Sequence, residues 1–236
     1  MPQPTLYIAK SDGKDRHAFF DKDLATSFAQ RTAMLSKLRA DIEKCKIDVY
    51  LQPKINLSDN RCYGFEALAR WSFEGEAIPA GVFIELAETA GLTAQLDSCV
   101  LEKAVTCIGD WNKENREDFS IAVNLSAAHV NDVTLPSEIS NLLIRTKLKP
   151  AQLTLEVTET AELKDWQRTT KILEEIRALG CEVAIDDFGT GYSSLSYLEK
   201  LAVDELKIDR SFIISAETSE KTRFLLRSLV EYAQRH

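Results

Sequence analysis

Residues 182–187 read Glu-Val-Ala-Ile-Asp-Asp, a short apolar run that ends in two consecutive acidic residues. Such a run is typical of a buried β-strand whose carboxyl end carries polar side chains. A helical pattern from Asp165 to Leu179 comes before it, and Gly180 closes that helix as a C-cap residue. A helix that leads directly into a buried strand is the repeating unit of a parallel α/β sheet.

The same alternation continues in both directions along the chain. The predicted strands are Asp48 to Gln52, Tyr63 to Leu68, Phe119 to Asn124, Leu153 to Thr158, Glu182 to Asp186 and Glu205 to Ile208. The other predicted helices include Gly81 to Glu88, Leu96 to Trp111 and Ser137 to Lys147, with one more starting near Ser219. This order predicts βαβ units in an α/β fold with a mostly parallel sheet, similar to a (β/α)8 TIM barrel. Because the sequence supplies six strands before it ends at His236, we expect a barrel that lacks its last two strand–helix units.

The N-terminal region differs from the rest. Residues 1–24 contain a helix-like piece, a turn at residues 11–14 and a short strand-like piece, which together cannot bury a core. From Ala25 to Glu43, apolar residues recur at helical spacing among charges, which predicts an amphipathic helix. We therefore divide the chain into an N-terminal remnant at 1–24, a connector helix at 25–46 and a main domain at 47–236.

Composition limits the classes of function. Apolar residues make up 44% of the 236 residues, as in ordinary globular proteins. The net charge of −8 repels polyanions and argues against a DNA or RNA polymer as partner. A phosphate-bearing ligand would need local positive charges at its site.

Cysteine content and hydropathy indicate the compartment. The five cysteines are an odd number without a C-x-x-C pair, which predicts reduced thiols rather than a disulfide framework or a thiolate zinc site. No apolar run approaches the 18 residues of a membrane helix, and residues 1–4 lack the features of a signal peptide. We therefore expect a soluble cytoplasmic chain with no membrane segment of its own, and a membrane tether in a longer parent protein stays open.

Acidic and amide residues lie at or near the ends of four of the predicted strands: Glu66, Asn124, Glu156, Asp186 and Asp187. In a parallel barrel these ends meet on one face, where two carboxylates about 4 Å apart repel by roughly 4 kcal/mol. Their oxygens are ligands that suit Mg²⁺, Mn²⁺ or Ca²⁺. The adjacent Asp186 and Asp187 suit two ions about 3.5–4 Å apart, an arrangement that hydrolyses phosphodiesters. Lys207 at the next strand end could orient water or neutralise a phosphate oxygen.

Each of these residues also has a structural interpretation. A single acidic residue at a strand end is more often solvated, or an N-cap, than a ligand, but five such positions favour a site. For Lys207 and Arg70 a structural ion pair is about as frequent as a functional role. The loop Gly189-Thr190-Gly191 fits either an anion-binding nest or a simple turn. The histidines and tryptophans fit packing or surface positions.

A series of ordered motifs resembles the EAL domains, the bacterial cyclic di-GMP phosphodiesterases. The matching runs are Tyr50 to Pro53, Phe65 to Trp71, Asn124 to Ser126, Glu156 to Glu159, Asp186 to Leu195 and Leu206 to Asp209. The resemblance covers residues 47–236. It implies hydrolysis of one phosphodiester bond of cyclic di-GMP, giving the linear dinucleotide, in bacterial second-messenger signalling, with Mg²⁺ or Mn²⁺ as cofactor and homodimerisation as a mode of assembly.

The resemblance also assigns roles to individual positions. It implies metal ligation by Glu66, Asn124, Glu156, Asp186 and Asp187. It implies catalytic roles for Glu66, Asp187 and Lys207, and substrate contacts for Gln52, Arg70 and Asp209. It implies support of the second metal site and its loop by Glu159, Thr190 and Gly191.

Two further features bear on the assignment. Residues 6–20 resemble the last helix, turn and strand of a GGDEF domain, without that module's nucleotide site, so cyclase activity is not expected. The EAL family continues with an Ala-Glu-Gly-Val-Glu strand and a Gln-Gly-Tyr strand that this sequence does not contain. Turnover by the chain without those strands therefore stays open, and a cyclic di-GMP-binding sensor without turnover and a structural interaction module remain as alternatives.

Overall fold

The computed structural model describes residues 22–158, 166–189 and 203–233. Its helices are α1 (Lys22–Glu43), α2 (Ala80–Thr89), α3 (Thr93–Asn115), α4 (Ala127–Val130), α5 (Leu135–Thr146), α6 (Trp166–Ala178), α7 (Arg210–Thr218) and α8 (Glu220–Ala233). Its strands are β1 (Asp48–Asn56), β2 (Arg61–Phe73), β3 (Glu76–Ile78), β4 (Ser120–Leu125), β5 (Leu153–Thr158), β6 (Glu182–Phe188) and β7 (Glu205–Ile208). Residues 1–21 of the predicted N-terminal remnant, together with Glu159, Thr190 and Gly191, lie outside the described residues.

The described strands form one seven-stranded sheet with the order β1-β2-β4-β5-β6-β7, and β3 pairs with β2 off this path. The pairs from β2 through β4, β5 and β6 to β7 are all parallel. The predicted α/β fold with a mostly parallel sheet is therefore confirmed. All six predicted strands are present, and within the described ranges the short β3 is the one strand that the sequence analysis missed.

The strand β1 is the exception to the parallel arrangement, since it runs antiparallel to β2. Only residues 57–60 connect the two strands. Parallel neighbours need a crossover of a dozen or more residues, so such a short connection allows only a hairpin. The hairpin places Gln52 directly opposite Glu66.

Strands β4, β5 and β6 carry near-continuous apolar runs because both faces of this part of the sheet are covered. Residues 153–157 of β5 and 183–185 of β6 are buried without interruption. The core residues that α3, α5 and α6 contribute include Leu101, Ala104, Val105, Ile108, Ile139, Leu142, Leu173 and Ile176. This rigid centre holds the carboxyl ends of the strands in fixed positions.

The described chain divides into two compact units. The first contains the residues up to Lys46 and Trp71–Leu92, and the second contains Ile47–Arg70 and the residues from Thr93 onward. In the first unit, Trp71 Nε1 donates a hydrogen bond of 2.9 Å to Asp41 of α1. All of the predicted site residues that the structure describes belong to the second unit.

The cysteines differ from the prediction. Cys45 and Cys99 are disulfide-bonded, whereas Cys62, Cys107 and Cys181 are free. The prediction that all five are reduced thiols is therefore wrong for this structure. An odd count of cysteines excludes complete pairing but not disulfide bonding of some of them.

One observation concerns membranes. Among the described helices, none combines the length and the apolar character that crossing a bilayer requires.

Candidate functional site

Four of the predicted ligands lie on neighbouring strands and converge. Glu66 comes from β2, Asn124 from β4, Glu156 from β5 and Asp186 from β6. Asn124 and Glu156 are direct partners in the parallel ladder, and Asn124 Nδ2 donates a hydrogen bond of 3.0 Å to Glu66 Oε1. One carboxylate oxygen from each of Glu66, Glu156 and Asp186 lies within 4.8 Å of the others. The structure thus brings together the side chains that the sequence placed at successive strand ends. Glu66 differs from that prediction in lying inside the longer strand β2, near the end of its parallel ladder with β4.

Lys207 lies at the centre of this cluster. Its Nζ is 2.5 Å from Glu156 Oε2, 3.0 Å from Asp186 Oδ2 and 3.3 Å from Glu66 Oε2. A single ammonium group therefore contacts all three carboxylates. Because these contacts are partly shielded from water, their attraction offsets a large part of the repulsion between the acidic groups.

Burial changes the protonation of Glu156. Its side chain is 0% exposed, and burial, together with the charges of Glu66 and Asp186, raises its pKa to about 7 although Lys207 acts in the opposite direction. For Lys207, burial alone would lower the pKa, but the hydrogen bonds and charges of Glu156, Asp186 and Glu66 outweigh it and raise the pKa. Lys207 therefore stays protonated, whereas Glu156 exchanges its proton near neutral pH.

The donor set fits a hard divalent cation. Glu156 Oε1 is buried and has no hydrogen-bond partner among the described residues. Buried carboxylate oxygens are normally hydrogen-bonded or paired, so an oxygen without a partner inside an acidic cluster is suited to ligate a cation. Carboxylate and amide oxygens are the ligands that Mg²⁺ and Mn²⁺ prefer.

A β-bulge positions the two consecutive aspartates. The ladder between β6 and β7 pairs Ile185 with Leu206 and next Phe188 with Ile208, so Asp186 and Asp187 together stand opposite Lys207. Asp187 has a φ of +54°, in the left-handed region that Asp tolerates better than most residues. Neighbours in a regular strand point to opposite faces, and the bulge removes that constraint.

The electrostatics of Asp187 show its proximity to the cluster. Burial and the charges of Asp186 and Asp209 raise the pKa of Asp187, while Lys207 opposes the shift. The bulge therefore keeps both aspartates within electrostatic reach of Lys207.

The segment after the bulge packs closely on α7. Gly189 has a φ of +106°, and a Cβ atom there would lie 2.5 Å from Cε2 of Phe212. Only glycine accommodates both this backbone conformation and this contact without strain. The predicted loop residues Thr190 and Gly191, and Glu159 after β5, lie outside the described residues, so their roles stay predictions.

The predicted substrate contacts lie near the same strands. Gln52 is exposed and stands opposite Glu66. Arg70 Nη1 donates a hydrogen bond of 2.8 Å to the carbonyl of Ala69, and its guanidinium lies 5.5 Å from the centre of the Tyr50 ring. Asp209 is the N-cap of α7, where its carboxylate accepts a hydrogen bond of 2.8 Å from the backbone of Ser211.

The sequence analysis missed one charged pair at the site. Lys54 Nζ lies 3.1 Å from both carboxylate oxygens of Glu205. Lys54 comes two residues after Gln52, and Glu205 two residues before Lys207. Because side chains two apart in a strand share a face, Lys54 lies on the face of Gln52 and Glu205 on that of Lys207, but neither stretch of sequence alone indicates that the two residues pair.

Comparison with known proteins identifies the related family. The chain matches the family model described as EAL domain over residues 35–236. It is 38% identical over 209 residues to the bifunctional diguanylate cyclase/cyclic di-GMP phosphodiesterase MucR of Pseudomonas aeruginosa, which covers 88% of this chain and 30% of that protein. It is 34% identical over 231 residues to the cyclic di-GMP phosphodiesterase NbdA of the same organism, covering 98% of this chain and 30% of that protein. The chain therefore spans about 30% of the length of these curated relatives.

Solved structures share the fold. The PaMucR phosphodiesterase in complex with c-di-GMP superposes with a TM-score of 0.78 at 37% identity, covering 86% of this chain and 83% of that one. The EAL domain of Xanthomonas citri FimX in complex with c-diGMP gives a TM-score of 0.80 at 19% identity, covering 89% of this chain and 82% of that one. The second likeness concerns the fold alone.

Proposed function

Since the chain belongs to the EAL domain family, we propose that it is a divalent-metal-dependent phosphodiesterase that hydrolyses cyclic di-GMP to the linear dinucleotide. The observation that carries the proposal is the convergence of Glu66, Glu156 and Asp186 on one point, beside Lys207. The names of the relatives MucR and NbdA, and the bound ligand of the MucR structure, support the choice of substrate.

The proposed cation site uses oxygen donors of the neighbouring strands β2, β4, β5 and β6. Glu66, Asn124, Glu156 and Asp186 would hold one Mg²⁺ or Mn²⁺, and Asp187 would belong to a second site beside it. When bound, the two cations would supply Lewis-acid activation of water and neutralise charge on the phosphodiester. Glu156 must lose its proton to act as an anionic ligand. Because its pKa is about 7, this deprotonation costs little free energy near neutral pH.

The chain's own side chains would position the substrate. Gln52 and Arg70, on the hairpin strands beside Glu66, would contact the dinucleotide, and Asp209 would do so from the start of α7. Lys207 would hold its proton and direct its ammonium toward a phosphate oxygen or the attacking water. Glu159, Thr190 and Gly191 would support the second cation site and its loop.

The proposal extends to location and assembly. We place the domain in the bacterial cytoplasm, where cyclic di-GMP acts as a second messenger, and we propose that it forms a homodimer. Sedimentation equilibrium with and without ligand tests the assembly. A species that stays monomeric throughout contradicts the dimer.

The experiment that tests hydrolysis separates the products by chromatography. Cyclic di-GMP is incubated with the chain, with Glu66→Gln and with Glu102→Gln, each in Mg²⁺, in Mn²⁺ and in a chelator. Glu102 is a matched control because it is an exposed acidic residue of the same unit, paired with Arg145. We expect linear dinucleotide from the wild type and from Glu102→Gln with metal, and none from Glu66→Gln or with the chelator.

The remaining outcomes separate the alternatives. Metal-dependent binding of cyclic di-GMP without product would contradict hydrolysis and identify a sensor. Absence of both binding and product would identify an interaction module.

A further inference from the structure

Tyr50 is a large aromatic side chain that the strand β1 leaves in contact with solvent. The residue is 63% exposed although the strand is paired along its whole length with β2. In the hairpin register Tyr50 stands opposite Leu68, two positions from the pair Gln52 and Glu66. Because side chains two apart share a face, Tyr50 lies on the same face of the hairpin as Gln52 and Glu66.

Arg70 holds the ring from one side. Its guanidinium carbon is 5.5 Å from the centre of the Tyr50 ring, within the range of a cation–π contact. The arginine is itself fixed by the hydrogen bond of 2.8 Å from Nη1 to the carbonyl of Ala69. The ring is thus oriented by a neighbour on the adjacent strand while most of its surface stays open.

An exposed tyrosine alone does not indicate a ligand, since single exposed apolar side chains are common on protein surfaces. Trp111 on α3 is such a case, with 53% of its side chain exposed. Tyr50 differs because it lies on a strand, is oriented by a cation and shares a face with the acidic cluster. A flat ring at that place suits a flat partner.

We propose that Tyr50 is a base-stacking residue, on which a purine base of the bound nucleotide lies while Arg70 braces the ring. This inference rests on the proposed function, because it assigns the base to a position beside the phosphodiester site. Aromatic side chains bind nucleobases through their faces, and such stacking does not depend on the hydrogen-bonding edge of the base. The contribution of Tyr50 is therefore to affinity for the base, and the acidic cluster acts on the phosphate.

The test compares two ligands that differ in the base. Guanosine 5′-monophosphate carries a purine, and ribose 5-phosphate carries the same sugar and phosphate without it. Neither has a phosphodiester bond, so binding is measured without turnover, by equilibrium dialysis in Mn²⁺. The variants are Tyr50→Leu, Tyr50→Thr and Tyr50→Phe, with Trp111→Leu as the control for loss of an exposed aromatic ring. Because Tyr50 is exposed, the variants are expected to keep the wild-type melting temperature, and Tyr50→Thr keeps a residue that favours strands.

We expect Tyr50→Leu and Tyr50→Thr to weaken binding of guanosine 5′-monophosphate about tenfold, a value within the range for one stacked base. Binding of ribose 5-phosphate should be unchanged, Tyr50→Phe should stay within about twofold of wild type, and Trp111→Leu should bind both ligands normally. Equal loss of both ligands in Tyr50→Leu, or no loss of either, would overturn the proposal. So would a wild-type chain that binds the two ligands equally well.

The outcome is independent of hydrolysis. A chain that produces no linear dinucleotide but loses purine binding with Tyr50 contradicts the proposed hydrolysis and supports the stacking role. A chain that hydrolyses cyclic di-GMP with an unchanged KM in Tyr50→Leu supports the hydrolysis and contradicts the stacking role.

Discussion

Lys54 and Glu205, which are 151 residues apart in sequence, form an ion pair between β1 and β7, the strands at the two ends of the sheet order. The ammonium lies 3.1 Å from each carboxylate oxygen, and the side chains are only 15% and 33% exposed. Burial alone would lower the pKa of Lys54, but the charge and hydrogen bond of Glu205 outweigh it and raise the pKa. The pair joins the strand of Gln52 to the strand of Lys207, and the charge of Glu156 also acts on Lys54.

Removing the cation of this pair should destabilise the fold. Lys54→Met leaves the half-buried Glu205 carboxylate without its partner, so we expect the free energy of unfolding to fall by about 1–3 kcal/mol, less than for a fully buried pair. The double variant Lys54→Met/Glu205→Gln removes the orphan charge and should recover part of the loss. Urea denaturation of both variants and of Glu205→Gln gives the coupling energy. Strictly additive effects would contradict the pairing.

Lys207 should affect stability and cation binding in opposite directions. Lys207→Met removes the ammonium that contacts Glu66, Glu156 and Asp186, so the metal-free variant should melt at a lower temperature than the wild type. A divalent cation that binds the native state restores stability by mass action. Without the ammonium of Lys207 the carboxylates carry more uncompensated negative charge, so the variant should bind the cation more tightly than the wild type. Addition of Mn²⁺ should therefore raise the melting temperature of Lys207→Met more than that of the wild type, while hydrolysis of cyclic di-GMP is lost.

The control for this experiment is Lys149→Met, which removes an exposed lysine paired with Asp118. Its melting temperature should respond to Mn²⁺ as the wild type does. An equal response of all three proteins would show that Lys207 does not balance the charge of the cluster.

Gly189 should tolerate no side chain. A Cβ atom there would meet the ring of Phe212 at 2.5 Å, in a backbone conformation with φ at +106°. We expect Gly189→Ala to cost about 1–3 kcal/mol of stability. Adding Phe212→Leu relieves the contact but not the backbone strain, so only part of the loss should return. Gly81→Ala is the matched control, because a Cβ atom there meets nothing within 4 Å and the residue lies in α2. Equal effects at the two glycines would contradict the packing of Gly189 on α7.

Asp97 should make the protein less stable as the pH rises from about 4 to about 6. Burial raises the pKa of Asp97 to about 6, although it accepts a hydrogen bond of 2.7 Å from Ser126 and lies 3.8 Å from His129 Nδ1. Between the unfolded and folded pKa values the native state binds more protons than the unfolded state, so stability falls with rising pH in that window. Two pKa units correspond to about 3 kcal/mol.

The variant Asp97→Asn should lose this dependence. The amide oxygen can still accept from Ser126, and urea unfolding at pH 4, 5, 6 and 7 should give a flatter profile than the wild type. Asp132 is a control with the opposite pH dependence. Hydrogen bonds from Thr134 lower its pKa, so its contribution to the stability of the folded state is lost as the pH falls. A wild-type profile that does not fall between pH 4 and 6 would contradict the prediction for Asp97.

The strands were predictable where burial dictates the sequence. The bounds predicted for β5 and β7 match the structure. For β5 the reason is burial, since five of its six residues are buried, whereas the four residues of β7 are only partly buried and alternate between polar and apolar. The convergence of the acidic side chains was also predictable, since parallel strands end on one face.

The contacts within the site were less predictable. The bulge at Asp187 depends on how two strands align, and a single sequence does not encode that register directly. The contact of Lys207 with three carboxylates at once depends on the side-chain conformation that the fold selects. The pair Lys54 and Glu205 joins strands far apart in sequence, so neither residue indicates the other locally.

The bulge has a consequence for how such a domain can change during evolution. Asp186 and Asp187 are encoded by adjacent codons, and the second is the extra residue in β6 that the ladder with β7 skips. Deletion of that single codon would remove the bulge, so that β6 pairs without interruption with the four-residue strand β7. The core residues of β6 on either side of the deletion would stay in place. One in-frame deletion would therefore remove the carboxylate that we propose for a second cation site, while the core of the fold and the cluster of Glu66, Glu156 and Asp186 are inherited intact.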